Sequence, residues 1–247
     1  MEQIDRALDA ALIIIKNGGS TINAERTFKN ILNGYRISKV YTAWRLDFVT
    51  ASTDGAAGTV TVMRPVGAIG VNLTRTSEAE ILGERVSKGE VSTDNIISEI
   101  ERIKAIAPPY NRWLMMLFAA FAAATFTQIM NGDWGGLGIA FIAAGIGQIL
   151  RSQLQGMDLT VAQVTFGCGV LSASIAALGL RLGFSQDPAS ALISSVIYLV
   201  PGLPLINGFI DIISHKYLFI GLGRIANAMF LFLILAIAIA FGIVFIT

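Results

Sequence analysis

Five long stretches without ionisable side chains constrain this chain more than any other feature: Trp113 to Met130, Gly135 to Leu150, Leu159 to Leu180, Ala189 to Ile210 and Ile225 to Ile246. Their 100 residues contain no Asp, Glu, Lys, Arg or His. A run of about 20 apolar residues crosses the hydrocarbon core of a bilayer as a helix, because only a helix pairs its own backbone polar groups there. The pattern predicts an all-α transmembrane bundle of five helices over residues 113–247. The second window, with 16 residues, is short for a span and must stand nearly upright or draw in flanking polar residues. The joints Asn131 to Trp134, Arg151 to Asp158, Arg181 to Pro188 and Asp211 to Arg224 are brief, which favours antiparallel neighbours.

Charge is confined elsewhere. Residues 1–112 hold 14 of the 18 Lys and Arg and 13 of the 17 Asp and Glu, as expected of an α+β cytoplasmic domain preceding the membrane domain. Ile4, Leu8, Leu12 and Ile15 recur at helical spacing, and Thr27 to Leu32 suit a second helix after Asn17-Gly18-Gly19. Lys39 to Ser52 alternates and is rich in β-formers; Gly58 to Arg64 can pair with it across a turn from Asp54 to Gly58. Two further helices are expected over about Arg75 to Lys88 and Ser92 to Ile106, the second opened by a Ser-Thr-Asp cap and closed at Pro108-Pro109-Tyr110.

The first apolar run is short, follows three acids and meets a helix stop rather than a cleavage site, so no signal peptide is expected. Among basic residues near the spans, Arg102, Lys104, Arg112, Arg151, Lys216 and Arg224 fall on one side and Arg181 on the other. By the positive-inside rule the N-terminal domain is cytoplasmic and the C-terminus outside a cell (plasma) membrane.

Several function classes drop out. With net charge +1 and no basic run, nucleic acid is not an expected partner. Cys168, the single cysteine, reads as apolar packing, and His215, the single histidine, as a solvated loop residue. No GxGxxG after a strand, P-loop lysine pattern or HExxH occurs, so neither an enzyme nor a cofactor or metal site is expected. The Asn17-Gly18-Gly19-Ser20 stretch suits either an anion cradle at a helix N-terminus or a helix stop followed by a cap.

The fourth window carries the anomaly. Pro201 and Pro204 flank Gly202, and each proline removes an N–H, freeing the carbonyls of Ile197 and Val200. Unpaired carbonyls in hydrocarbon cost several kcal/mol, so such backbone belongs inside protein or a watery cavity. Secondary transporters build sites on broken helices, while a packed structural kink is the plain alternative. Asn207 and Asp211 lie one turn apart just beyond. Asp211 is either a partly desolvated proton carrier or a solvated helix-end charge. In the third window Gln163, Gly167, Val170 and Ser174 share a face, as do Gly138, Gly145 and Gln148 in the second and Ala119, Ala123 and Thr127 in the first. These stripes line a path or let helices approach closely. Asn227, one turn into the last window, needs a partner in this chain or another.

The residues resemble those of the threonine/serine exporter (ThrE) family, over its cytoplasmic domain and first membrane half. Gly19-Ser20-Thr21-Ile22-Asn23-Ala24-Glu25-Arg26-Thr27 is similar to the family's Gly-x-x-x-Arg-x-Glu/Asp-x-Thr segment, with Asn23 where Arg is usual. Val71-Asn72-Leu73 through Glu78, Leu82, Arg85-Val86 and Gly89-Glu90 resembles its helix pair. Leu199-Val200-Pro201-Gly202-Leu203-Pro204-Leu205-Ile206-Asn207-Gly208 with Asp211, followed by Gly221 and Arg224, resembles its LxPGxxxxNxxxD element. The resemblance implies an exporter of small polar metabolites. In a two-subunit branch of the family, which includes a succinate exporter, a separate small membrane protein supplies the second half.

The expectation is therefore one subunit of a secondary exporter for threonine/serine or a dicarboxylate such as succinate, driven by protons and completed by a small membrane subunit. Pro201, Gly202 and Pro204 would form the site or gate, with Asn207, Asp211, Gln163 and Ser174 contributing. The competing class is a membrane-anchored sensor or scaffold whose head binds a ligand or protein.

Overall fold

The computed structural model describes residues 2–55, 58–108 and 110–244. Its chain forms two units, Met1–Pro109 with Gly202–Asn227, and Tyr110–Pro201 with Ala228–Thr247.

In the first unit, α1 (Glu2–Lys16) buries Ile4, Leu8, Leu12 and Ile15 at the expected spacing and also Ala10, Ile13 and Ile14. A helix apolar on so much of its circumference belongs at the centre of a core. It is surrounded by α2 (Thr21–Gly34), α3 (Leu73–Ser87), α4 (Ile96–Ala105) and an antiparallel sheet. The sheet runs in the order β1 (Val40–Trp44), β2 (Phe48–Gly55), β3 (Gly58–Pro65). Trp44, Val49, Ala51 and Val62 point into the core, whereas Tyr41 and Met63 are exposed. Phe28 of α2 meets Trp44 edge-on, with ring centroids 6.4 Å apart.

Two local readings change. Lys39 to Ser52 is two strands, because the chain turns at Arg45 to Asp47, where the Arg45 N–H donates to Phe48 O at 3.0 Å. β2 does pair with Gly58–Pro65, in the register Gly55 to Gly58. Residues 56 and 57 of that turn, and Pro109 of the Pro-Pro-Tyr element, lie outside the described residues. Ser92 caps a short 3-10 turn, Thr93–Asn95, that leads into α4.

Asn17 to Ser20 stops one helix and starts the next. Gly18 adopts φ +88°, and the Gly19 N–H donates to Ile14 O at 2.8 Å, closing α1 with a Schellman turn. A Cβ on Gly19 would lie 2.3 Å from Ile14 Cγ2. The Ser20 hydroxyl then accepts from the Asn23 N–H and caps α2.

The second unit comprises α5 (Arg112–Ile129), α6 (Trp134–Leu154), α7 (Val161–Arg181), α8 (Pro188–Ser195), a 3-10 turn at Ile197–Leu199, and the chain from Ala228 onward. Helix α9 (Gly202–Ile213) and the start of α10 (Leu218–Val244) belong to the first unit. Two boundaries move. The short second window becomes the 21-residue α6 by taking in Trp134 and Arg151 to Leu154. The last helix starts at Leu218 instead of Ile225, so Arg224 lies inside α10 rather than in the preceding loop. Phe245 and Ile246 lie outside the described residues.

Among the described residues, α5, α6, α7 and α10 are long and apolar enough to cross a bilayer. The segments Pro188–Leu199 and Gly202–Ile213 pass the same test only as a pair, giving four spans, or five if the pair is one broken span. Small residues mediate the helix contacts: Ala123, Ala140 and Ala144 form one cluster, and Ile139, Ala176 and Ala191 another. Phe118, Phe121, Ile142, Ile146, Leu178 and Phe241 stay exposed. A surface of this kind suits lipid, where helix association depends on close backbone approach rather than on burying large apolar groups.

Candidate functional site

The fourth apolar stretch is broken as its prolines require. α8 ends at Ser195, the 3-10 turn covers Ile197–Leu199, and Val200 and Pro201 are non-helical before α9 starts at Gly202. Pro201 makes the break. Pro204 falls in the first turn of α9, where an N–H has no intrahelical acceptor, so it costs the helix little. Of the carbonyls expected to be freed, Ile197 O accepts from the Val200 N–H at 3.1 Å. A neighbouring carbonyl, Tyr198 O, accepts from Arg151 Nη1 at 2.9 Å. The Tyr198 and Ser172 hydroxyls lie 3.0 Å apart, and Ser172 donates to Ala143 O at 3.1 Å. Gly147 makes room: a Cβ there would sit 2.0 Å from the Tyr198 hydroxyl.

Beyond the break, α9 turns Asn207, Gly208 and Asp211 inward on one face. The Asp211 side chain is fully buried, so the solvated helix-end reading does not hold. Asp211 Oδ2 accepts from the Thr21 hydroxyl at 2.8 Å, and Arg224 Nη1 lies 3.4 Å from the same oxygen. Arg224 Nη2 donates to Gly19 O at 3.2 Å, and Asn207 Nδ2 to Gly18 O at 2.9 Å. Three side chains from α9 and α10 thus converge on the Gly18–Thr21 junction. The start of α2 carries the partial positive charge of its free N–H groups, and the anion it receives is the protein's own Asp211. Gly208 and Gly221 let α9 and α10 approach: a Cβ on Gly221 would lie 2.8 Å from Gly208 O. Two buried polar atoms here have no hydrogen-bond partner, Asp211 Oδ1 and Arg224 Nη1.

One turn into α2, Glu25 is buried and clamped by the tip of the α9–α10 hairpin. Lys216 donates to Oε1, the Tyr217 hydroxyl donates to Oε2 at 2.6 Å, and Lys29 Nζ lies 2.7 Å from Oε1. Burial pushes the Glu25 carboxyl up, but the bonds from Lys216, Lys29 and Tyr217 outweigh it and hold the group below the usual glutamate range. Burial, then the bond to Glu25, raise the Tyr217 phenol above its ordinary value. A shallow open cavity of about 350 Å³ lies beside this cluster, lined by Glu25, Arg26, Lys29 and Tyr217 among others.

The expected site residues are thus distributed. Asn207 and Asp211 come together with the Gly18–Thr21 junction, and Gly202 and Pro204 start the helix that carries them. Pro201, Gln163 and Ser174 belong to the second unit. Gln163 closes a capping box at the start of α7, accepting from the Thr160 N–H at 2.9 Å. Ser174 is half-buried on the same helix, beside the packed face through Cys168, Gly169, Ser172 and Ala173. Gly145, Gln148, Ala123 and Thr127 of the other two stripes are buried, and a Cβ on Gly145 would touch Ala120 at 3.5 Å. His215, at φ +55°, and Asn227 are exposed. Among the described residues no group of three or more His, Cys, Asp or Glu could hold a metal. Sequence reasoning missed Thr21, Glu25, Arg151, Tyr198 and Arg224 as site members. Thr21 and Glu25 lie within the early family-like segment, which was the available signal.

Apolar helices faced with large hydrophobics, one of them interrupted beside buried charge, define a multi-pass membrane protein of the transporter type. The chain belongs to the ThrE family, described as "Putative threonine/serine exporter", which matches residues 5–246. It is 23% identical over 231 residues to a Mycobacterium tuberculosis protein named "Probable threonine/serine exporter", covering 92% of this chain and 43% of that one. It is 25% identical over 234 residues to a Klebsiella aerogenes protein named "Probable succinate transporter subunit YjjP", covering 94% of this chain and 89% of that protein. The Escherichia coli protein of the same name is 30% identical over 179 residues, 70% of this chain and 67% of its own length. The chain thus spans less than half of the mycobacterial relative and most of the Klebsiella one. No solved structure matches.

Proposed function

We propose that this chain is the larger subunit of a secondary exporter for small polar metabolites, threonine or serine or a dicarboxylate such as succinate. The proton motive force drives it, and a small membrane subunit completes it. The observation that carries this reading is Asp211, a wholly buried carboxylate with one oxygen unpaired, on the helix that starts at the break. A carboxylate held in that setting is a candidate carrier of the coupling proton. Pro201, Gly202 and Pro204 form the hinge that lets α9 move. Asn207 holds the Gly18 carbonyl in the resting state.

Residues 1–112 form the cytoplasmic part and 113–247 the membrane part, in the plasma membrane with the C-terminus outside; the excess of Lys and Arg on one side supports this orientation. The word "subunit" in the names of the Klebsiella and Escherichia relatives supports a separate partner. The exposed Asn227 on apolar α10 offers that partner a polar contact. The test is efflux from cells loaded with labelled threonine, serine or succinate, expressing this chain alone and with a candidate small membrane protein. Partner-dependent efflux that collapses with an uncoupler is expected. No efflux of any of the three, with both proteins stable in the membrane, would move the reading to a membrane-anchored sensor or scaffold.

A further inference from the structure

Asp211 and Arg224 are a buried ion pair left half-satisfied. Arg224 is 5% exposed and Asp211 0%. Their one close approach is Arg224 Nη1 to Asp211 Oδ2 at 3.4 Å, too long for a full hydrogen bond. Nη1 makes no hydrogen bond, and neither does the carboxylate's other oxygen, Oδ1. Fully desolvated charges normally persist only when their remaining protons and lone pairs are also met. What this pair leaves open is an acceptor for Nη1 and a donor for Oδ1, places that a carboxylate and an ammonium group would fill with full charge complementarity.

We infer that Asp211 and Arg224 form the recognition pair for the zwitterionic head of a free α-amino acid, with Arg224 taking the α-carboxylate and Asp211 the α-ammonium. This rests on the exporter reading and selects between its two substrate classes. A dicarboxylate satisfies Arg224 with one end but offers Asp211 no cationic donor. The ligand enters when the closely packed seam at Gly208 and Gly221 opens and the guanidinium leaves Gly19 O, so the described state is the closed one. The arrangement also supplies coupling. A proton and an ammonium group compete for the same carboxylate, so loading one discharges the other. The groups that bear on Asp211 are Arg224 from α10, the hydroxyl and backbone N–H of Thr21 at the start of α2, and Tyr217 at the hairpin tip.

The test is competition in vesicles containing the full chain with its candidate partner. Uptake of labelled threonine is challenged with serine, threonine methyl ester, N-acetylthreonine and succinate. Serine is expected to compete, while the ester, which lacks the carboxylate, and the N-acetyl compound, which lacks the ammonium, compete at least about 100-fold less well. The neutral pair Asp211→Asn with Arg224→Gln keeps shape and hydrogen bonding while removing both charges, and a thermal-unfolding curve verifies that it folds. That variant is expected to lose threonine uptake. Threonine uptake at the wild-type rate by the folded neutral pair would make the ion pair merely structural and overturn the assignment. Transport of succinate but not of threonine would overturn it while leaving the exporter reading standing. Transport of neither would sink the exporter reading itself.

Discussion

The Thr21 hydroxyl donates to Asp211 Oδ2 at 2.8 Å across a separation of 190 residues, joining the first turn of α2 to the helix that follows the break. Arg224 approaches the same oxygen, so one carboxylate oxygen serves a hydroxyl and a guanidinium while the other stays bare. In the proposed exporter the same residues therefore bear on both stability and transport.

Removing one member of the buried pair strands the other. Asp211→Asn alone leaves Arg224 uncompensated and is expected to destabilise the folded protein by about 3–5 kcal/mol, whereas adding Arg224→Gln recovers most of that loss. Unfolding curves of the detergent-purified variants measure the coupling. Additive losses would show that the two side chains do not act as a pair.

The α9–α10 seam leaves no space for a methyl group. In Gly221→Ala the new Cβ would lie 2.8 Å from Gly208 O and 3.0 Å from Asp211 Cβ, so the helices must shift. A loss of about 1–3 kcal/mol is expected. Gly138→Ala, where nothing lies within 4 Å, is the matched control and should change little.

Acid should loosen the hairpin tip through Glu25. Its carboxylate is held below the ordinary glutamate value, so as pH falls the unfolded chain takes up the proton before the folded one does. The stabilisation is present in full above about pH 4.3 and fades as pH drops below it. Unfolding temperatures across that range should show the slope in the wild type and a shallower one in Glu25→Gln. Equal slopes would mean that Lys216 and Tyr217 do not depend on the charge.

Arg151 holds the broken helix open by occupying Tyr198 O. Arg151→Ala is expected to cost about 1.5–3 kcal/mol, the worth of a hydrogen bond from a charged donor, and to slow transport. Arg151→Lys keeps a donor and should retain part of both. Pro201→Ala restores the N–H that a continuous helix would donate to Ile197 O and should favour an unbroken helix, reducing transport. An unchanged rate in Pro201→Ala would favour a purely structural kink.

Much of the membrane part was legible, because runs of apolar residues without charge have few alternative fates. The break was legible from Pro201, since a missing N–H acts wherever it stands. The β1–β2 turn was not, because apolar-polar alternation from Trp44 to Phe48 runs straight through Arg45 to Asp47. Arg224 was misplaced for a similar reason: a charge ended the apolar window, although a buried carboxylate one helix away lets it stay inside α10. The pairing of Thr21 with Asp211 has no local signature. A hydroxyl and a carboxylate so far apart in sequence meet only through the tertiary fold.

Counter-movement of protons and substrate tests the central claim most directly. Vesicles containing the chain and its partner, loaded with a pH-sensitive dye and labelled threonine, would be monitored as threonine leaves down its gradient. The expected result is inward proton movement in proportion to threonine efflux, absent in the Asp211→Asn, Arg224→Gln variant. Threonine efflux at the full rate with no proton movement, or with the same proton movement in the variant, would contradict Asp211 as the coupling group.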